Sequence, residues 1–289
     1  MTLLALVLVL AAACSHATWN LLVKRVGGGP EVVWLFSMLA ALLYLPVAIW
    51  VIVVQQPVMG PKELMFCTIS SLLHLGYFLL LQQGYRRGDL SLVYPTARAT
   101  GPLLSGLAAV IFFAERPTLL GAAGGLAIIA GVFFLTGGLR RDAKQFHASL
   151  LFGLGAGALI GAYTVWDAHT LRALLVPPIL LDYASSLGRV IFLSPYAVTR
   201  RAEIVRHWRE HKAAILEIAV FNPLAYILVL TALVFTPVVY VAPARESSVL
   251  ITVLLGTLLL KEGEGRGETG RRLGWAALIL AGMVMLALG

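Results

Sequence analysis

The chain has 289 residues, of which 60% are hydrophobic and 12% charged, and its mean hydropathy is +0.89. Soluble domains carry about 25% charged residues, so a soluble core is excluded and a helical membrane bundle is implied. The net charge of +8 would suit a nucleic-acid binder were the chain soluble. Its basic residues instead sit between apolar runs, where they set orientation in a bilayer, and no nucleic-acid partner is expected.

A helix needs about 20 apolar residues to cross the hydrocarbon layer. Ten segments qualify: 2–23, 33–54, 64–84, 91–114, 118–138, 148–168, 175–198, 213–235, 238–260 and 271–288. Their length and lack of alternation exclude strands. The first imitates a signal peptide over Met1 to Ala17 and a lipobox at Leu10-Ala-Ala-Ala-Cys14, yet no positive n-region precedes it, so it reads as a retained helix. Cys14 and Cys67 are isolated in apolar segments and supply neither a disulfide framework nor a zinc site; no cofactor or metal is expected. The fifth segment carries Gly121, Gly124, Gly125 and Gly131, and the tenth carries Gly274, Ala277, Ala281 and Gly282. Small residues at this spacing let helices approach closely, which predicts structural packing and a possible homodimer surface on these two helices. The seventh is the weakest, interrupted by Pro177, Pro178, Asp182, Ser185, Ser186 and Arg189.

The connections after odd-numbered segments hold sixteen of the 22 Lys and Arg residues. The opposite set holds Lys62, Arg116 and Arg172, while Arg98, Arg189 and Arg245 are intramembrane. The odd-numbered connections are therefore expected in the cytoplasm and both termini outside. The stretch from Thr199 to Lys212 is read as a basic cytoplasmic anchor able to lie on anionic lipid. A formal G-x-G-x-x-G at Gly265, Gly267 and Gly270 follows a membrane helix and not a strand, so it is no dinucleotide site. That loop reads as a flexible insertion.

A shift of 147 positions places Arg98 on Arg245, Glu115 on Glu262, Trp19-Asn20 on Trp166-Asp167 and Arg25 on Arg172. The chain thus reads as two repeats, 1–145 and 146–289. Five helices is an odd number, so the second repeat enters the membrane from the opposite side. The predicted fold is an all-α membrane protein of ten transmembrane helices in two inverted five-helix repeats, a plan common among secondary transporters.

Several pieces carry a resemblance: His16-Ala-Thr-Trp-Asn20, Tyr94-Pro-Thr-Ala-Arg-Ala-Thr-Gly-Pro102, Glu115, Ala242-Pro-Ala-Arg-Glu-Ser-Ser248 and Lys261-Glu262. In combination they resemble the EamA-type branch of the drug/metabolite transporter superfamily. The resemblance covers essentially the whole chain. It implies ten helices around a central substrate cavity and transport of small metabolites such as amino acids, drugs or sugar-phosphate-like solutes. The second half departs from the first in having Asp167 for Asn20 and Ser248-Val249 for Gly101-Pro102.

Ionisable groups inside hydrocarbon are functional candidates by default. Trp19, Asn20 and Arg98 are expected in a layer toward the cytoplasm, and Trp166, Asp167 and Arg245 in a matching outer layer. Asp167 with Arg245 is read as an outer latch, and Asn20 with Arg98 as its uncharged counterpart. An arginine fork matches carboxylate or phosphate, so three intramembrane arginines favour an anionic or zwitterionic solute. Asp182 and Arg189 either pair with each other or contact substrate. His16 and His74 either relay protons or bond a neighbouring helix. Tyr94 and Tyr163 line the path or belong to aromatic belts. Glu217 and Glu246 are possible proton carriers, Glu246 alternatively only neutralising Arg245. Glu115 and Glu262 are expected to be structural, beside Arg116 and Lys261. The expected function is secondary transport of a small polar, amino-acid-like metabolite across a bacterial inner membrane. A lipid-linked-intermediate flippase is the alternative. A membrane-embedded enzyme lacks its motifs, since G-x-S-x-G, H-E-x-x-H and D-D-x-x-D are missing, and no ATP-binding loop supports a primary pump.

Overall fold

Long apolar runs with no water to bond their backbone groups must satisfy those groups internally, and helices do so. A computed structural model describes residues 1–27, 29–87, 90–135, 146–251 and 266–289, apart from the side chains at 24, 85, 86, 90, 91, 95, 266–270, 272 and 273. Its helices are α1 (Leu3–Val26), α2 (Pro30–Gln55), α3 (Pro61–Arg87), α4 (Leu90–Phe112), α5 (Leu119–Leu135), α6 (Phe146–Ala173), α7 (Pro178–Thr199), α8 (Arg201–Phe235), α9 (Val238–Arg245) and α10 (Arg266–Leu288). Among the described residues, α1, α2, α3, α6 and α8 are long and apolar enough to cross a membrane. Leu119–Leu135 and Gly274–Leu288 are shorter apolar helices. Lys261, Glu262 and the glycine-rich stretch as far as Gly265 lie outside the described residues.

Local chemistry accounts for the helix ends. Thr2 Oγ1 accepts from the Ala5 N–H at 3.3 Å and caps α1. Prolines at the first position start α2 and α7, where the missing N–H costs nothing. The weak seventh segment is helical from Pro178 onward, with Pro195 inside the helix. The basic connection before the eighth segment is helical too. It runs into the membrane helix as one element, bent at His211 (φ −132°, ψ 27°).

The first-half and second-half helices interleave. α1 packs on α8 and α3 on α6, while α2 packs on α7, α4 on α9 and α5 on α10. Exchanging the two halves maps this set of pairs onto itself. The fifth and tenth helices cross at Gly124 and Gly282: a Cβ on either would lie 2.7 Å from the other's carbonyl oxygen. Gly121 and Gly125 admit Tyr240 and Pro243 of α9. The glycine stripe is therefore filled within the chain, and the exposed face of this pair is instead Leu126, Phe134, Leu280 and Val284.

One clasp ties four elements at one end of the bundle. Arg172, at the end of α6, donates to the carbonyls of Leu233 (2.8 Å) and Thr236 (2.5 Å) and pairs with Glu115 Oε1 at 2.8 Å. Glu115 in turn accepts the N–H groups of Val238 (2.9 Å) and Val239 (3.0 Å), the first two of α9. Pro237 has no side chain able to cap α9, so a carboxylate from the α4–α5 connection does it, favourably oriented to the dipole. The glutamate is structural, as expected, but its cation is Arg172 and not the adjacent Arg116.

Two expectations follow. Arg172→Ala should cost about 3 kcal/mol, since it strands a carboxylate that is largely buried, and Glu115→Gln should cost less because it keeps a neutral acceptor for the α9 amides. Thermal midpoints in detergent equal to the parent's would show that the clasp holds nothing. Gly282→Val should destabilise the protein through overpacking by about 1–3 kcal/mol and so lower the midpoint; an unchanged midpoint would mean the α5–α10 crossing can open without cost.

Candidate functional site

The site begins where α9 breaks. Pro243 lacks an N–H and cannot continue the helical ladder. The Glu246 N–H turns back to the Pro243 carbonyl at 3.0 Å, Glu246 forms a turn, and residues 247–251 are again helical. Interrupted helices of this kind mark solute sites in membrane transporters. The break presents Arg245, Glu246 and Ser248 together toward Arg98 of α4.

Glu246 is fully buried and stands between two cations. Arg98 Nε lies 2.7 Å from its Oε2, and Arg245 Nε lies 3.6 Å from its Oε1. Arg98 Nη2 donates to Ser248 Oγ at 3.2 Å. The contacts to Glu246 are ion pairs without hydrogen-bond alignment. Arg98 Nε, Arg245 Nε and Nη2 and both Glu246 oxygens are buried with no hydrogen-bond partner. Each guanidinium also approaches an aromatic ring, Arg98 that of Tyr94 and Arg245 that of Tyr163, both at 5.9 Å from the centroid. Two cations and one anion leave the group with a formal +1 charge and unused donors.

A second cluster adjoins the first. Asp167 on α6 is 0% exposed. Its Oδ2 meets His74 Nε2 of α3 at 3.0 Å and accepts from the Tyr226 hydroxyl of α8 at 2.5 Å. His74 stacks on Tyr163 at 3.9 Å and meets Tyr226 edge-on at 4.9 Å. Tyr163 thus touches His74 in one cluster and Arg245 in the other. Tyr77 of α3 packs edge-on against it at 6.0 Å.

This geometry corrects several expectations. Asp167 does not latch onto Arg245; His74 and Tyr226 take its carboxylate, and Arg245 goes to its own neighbour Glu246. Asn20 is not the counterpart of Arg98, whose partners are Glu246 and Ser248. The two arginines do not occupy separate layers, since one carboxylate draws both together. Arg189 Nε and Nη2 donate to Ser37 Oγ (3.1 Å) and Ser186 Oγ (2.9 Å) instead of to the buried Asp182. His16 Nδ1 is bonded by Trp19 Nε1 at 3.0 Å, and its Nε2 is buried without a partner. Trp166 stands apart: its indole donates to the Phe66 carbonyl at 2.9 Å and stacks on Phe66 at 4.3 Å. It lines an apolar pocket of about 640 Å³ with Leu104, Phe112, Phe113 and His169.

Sequence reasoning missed Tyr226 and Ser248. A buried aspartate needs donors, so a tyrosine within an apolar helix was a signal for the first. Only the turn at Glu246 brings the second into reach. Among the described residues no group of three or more His, Cys, Asp and Glu side chains is placed to hold a metal ion.

Comparison with known proteins places this arrangement. A solved crystal structure, described only as that of a protein, superposes with a TM-score of 0.74 at 15% identity, covering 98% of this chain and 97% of its own. Likeness at that identity shows a shared fold. No protein of curated function matches the chain. The model of the EamA-like transporter family matches twice, over residues 3–137 and 147–289. The chain is therefore a multi-pass membrane protein of the drug/metabolite transporter superfamily, and it belongs to the EamA-like transporter family.

Proposed function

We propose that the protein is a secondary transporter that moves a small anionic or zwitterionic, amino-acid-like metabolite across the bacterial inner membrane by alternating access. In this reading the halves 1–145 and 146–289 are inverted repeats making ten crossings, with both termini extracytoplasmic. The packing set of α1 on α8, α3 on α6, α2 on α7, α4 on α9 and α5 on α10 supports a twofold relation between the halves, and five crossings in each half, an odd number, would make that relation an inversion. A homodimer in this reading uses the exposed outer faces of α5 and α10. Members of this family are typically transporters and not enzymes, which favours carriage over catalysis.

The observation that carries the solute class is Arg245, 3% exposed, with Nε and Nη2 unbonded beside a carboxylate shared with Arg98. Buried donors left without acceptors are costly, and a carboxylate or phosphate of a solute would satisfy them in the fork geometry that arginine favours. Glu246 then acts as the internal stand-in anion that keeps the site closed when empty. His16, Trp19, Asn20 and Tyr94 on the first half, with Tyr163 on the second, complete the polar surroundings in this reading.

The apolar pocket beside Trp166 favours a second reading. A carrier of a lipid-linked intermediate needs an apolar recess for a chain, and Leu104, Phe112, Phe113 and Trp166 line an apolar pocket.

A stability-shift screen of purified protein against amino acids, small carboxylates and sugar phosphates tests the first reading. The expected result is a ligand whose affinity falls at least about tenfold in both Arg98→Ala and Arg245→Ala, as for a lost charge-assisted bond. A ligand bound equally well by both variants would remove the arginines from recognition, and one bound only when lipid-linked would favour the flippase.

A further inference from the structure

Asp167 carries more than the site above requires. Its side chain is wholly buried, Oδ2 has two partners, and Oδ1 has none. A buried carboxylate is expensive unless a cation faces it or a proton neutralises it. The group that faces it is an imidazole, a side-chain type that exists with and without its extra proton in the physiological range. Tyr226 supplies a hydroxyl to the same oxygen from a third helix. Three helices thus converge on one carboxylate with one oxygen left open.

We propose that His74, Asp167 and Tyr226 form a proton-binding site, and that its occupancy sets the positive charge Arg98 and Arg245 offer to a bound anion. The solute half of this statement rests on the function proposed above. Without an extra proton the His74–Asp167 pair carries −1; with one, on either residue, it carries zero. The Arg98–Glu246–Arg245 group beside it carries +1. Asp182 and Arg189 of α7, which also face this region, cancel formally, and Tyr77, Tyr163 and Tyr226 are uncharged phenols. His16 of α1 and the Tyr94 phenol of α4 are also in electrostatic reach of the arginines, and the Cys67 thiol of α3 is in reach of Asp167. The neighbourhood is then neutral when the pair is empty and +1 when a proton sits there.

An anion entering a neutral site gains nothing from net charge; entering a +1 site it does. Proton and anion consequently favour each other, and the coupling is reciprocal. Tyr163 is the physical link, because its ring contacts His74 at 3.9 Å and lies under the Arg245 guanidinium. The proton comes from water on the side where the anion enters, bonds to the His74 ring or the Asp167 carboxylate, and returns to water on the other side as the anion leaves. The protein is accordingly a proton–anion symporter.

Infrared difference spectroscopy of the protein in lipid vesicles, acid minus neutral, tests the proton site without any solute. The parent should show a carboxylic-acid C=O stretch or an imidazolium ring band, lost in Asp167→Asn and in His74→Gln respectively, while Asp182→Asn and Glu246→Gln keep it. Spectra of Asp167→Asn and His74→Gln identical to the parent's would overturn the proposal. Circular dichroism checks that each variant is folded.

Sulfate, whose charge is constant over this range, serves as the anion probe for the coupling. Its apparent affinity, read by thermal shift, should rise about fivefold or more from the alkaline to the acid side in the parent, the lower end of usual coupling energies. It should stay flat in the double variant Asp167→Asn with His74→Gln. A parent response that does not change with pH would overturn the coupling. Sulfate stabilisation that ignores Arg98→Ala and Arg245→Ala would instead overturn the arginine site, and the infrared result would still decide the proton site.

Discussion

Two guanidinium groups share one buried carboxylate, and most of the arrangement follows from that. Neither arginine could be left alone in hydrocarbon without a large desolvation cost. Glu246 offsets part of it for both, but only because α9 ends at Arg245 and the turn at Glu246 brings Arg245, Glu246 and Ser248 to one side. A continuous helix would have spread Arg245, Glu246 and Ser248 around its circumference. The compensation is incomplete: a positive charge and several unbonded donors remain. A structure that only needed stability would have used apolar residues of similar volume, so the residual charge is the feature that function must explain.

The clasp at Glu115 and the cluster at Glu246 are opposite ends of the same short helix. At one end a carboxylate caps its amides and draws in Arg172. At the other, Glu246 draws in two arginines. Both ends use one acid to gather backbone or cation partners from different helices, and together they fix α9 against α4, α6 and α8. Tyr163 then joins this assembly to the Asp167 cluster through ring contacts with no formal bond.

Much of this was legible in the residues. Hydropathy located the apolar helices, five of which are long enough to span among the described residues, and the repeat with rare Trp, Arg and Glu matches pointed to Arg98, Arg245 and Asp167. The partners were not legible. Sequence spacing places a side chain at a depth on a helix but says nothing of which helix faces it, so Asp167 was matched with the nearest opposite charge at its depth. Neighbour relations decided otherwise, since α3 and α8 bring His74 and Tyr226 to it first. The Trp166 indole was lost to the same cause, turning toward Phe66 on α3 and away from the charges. The glycine stripes did announce close crossings, but which partner would fill them, α10 and α9 of the same chain, needed the tertiary arrangement.

Eight residues separate the clasp from the break, Val238 to Arg245, or about 12 Å at 1.5 Å per residue. Over so short a span a hydrogen-bonded helix behaves as a stiff push-rod. Any tilt that pulls the Val238 and Val239 amides off Glu115 must swing the Arg245 end in the opposite sense, relative to Tyr163 on α6. Surface events at that rim and the electrostatics of the buried charges are therefore mechanically geared to one another.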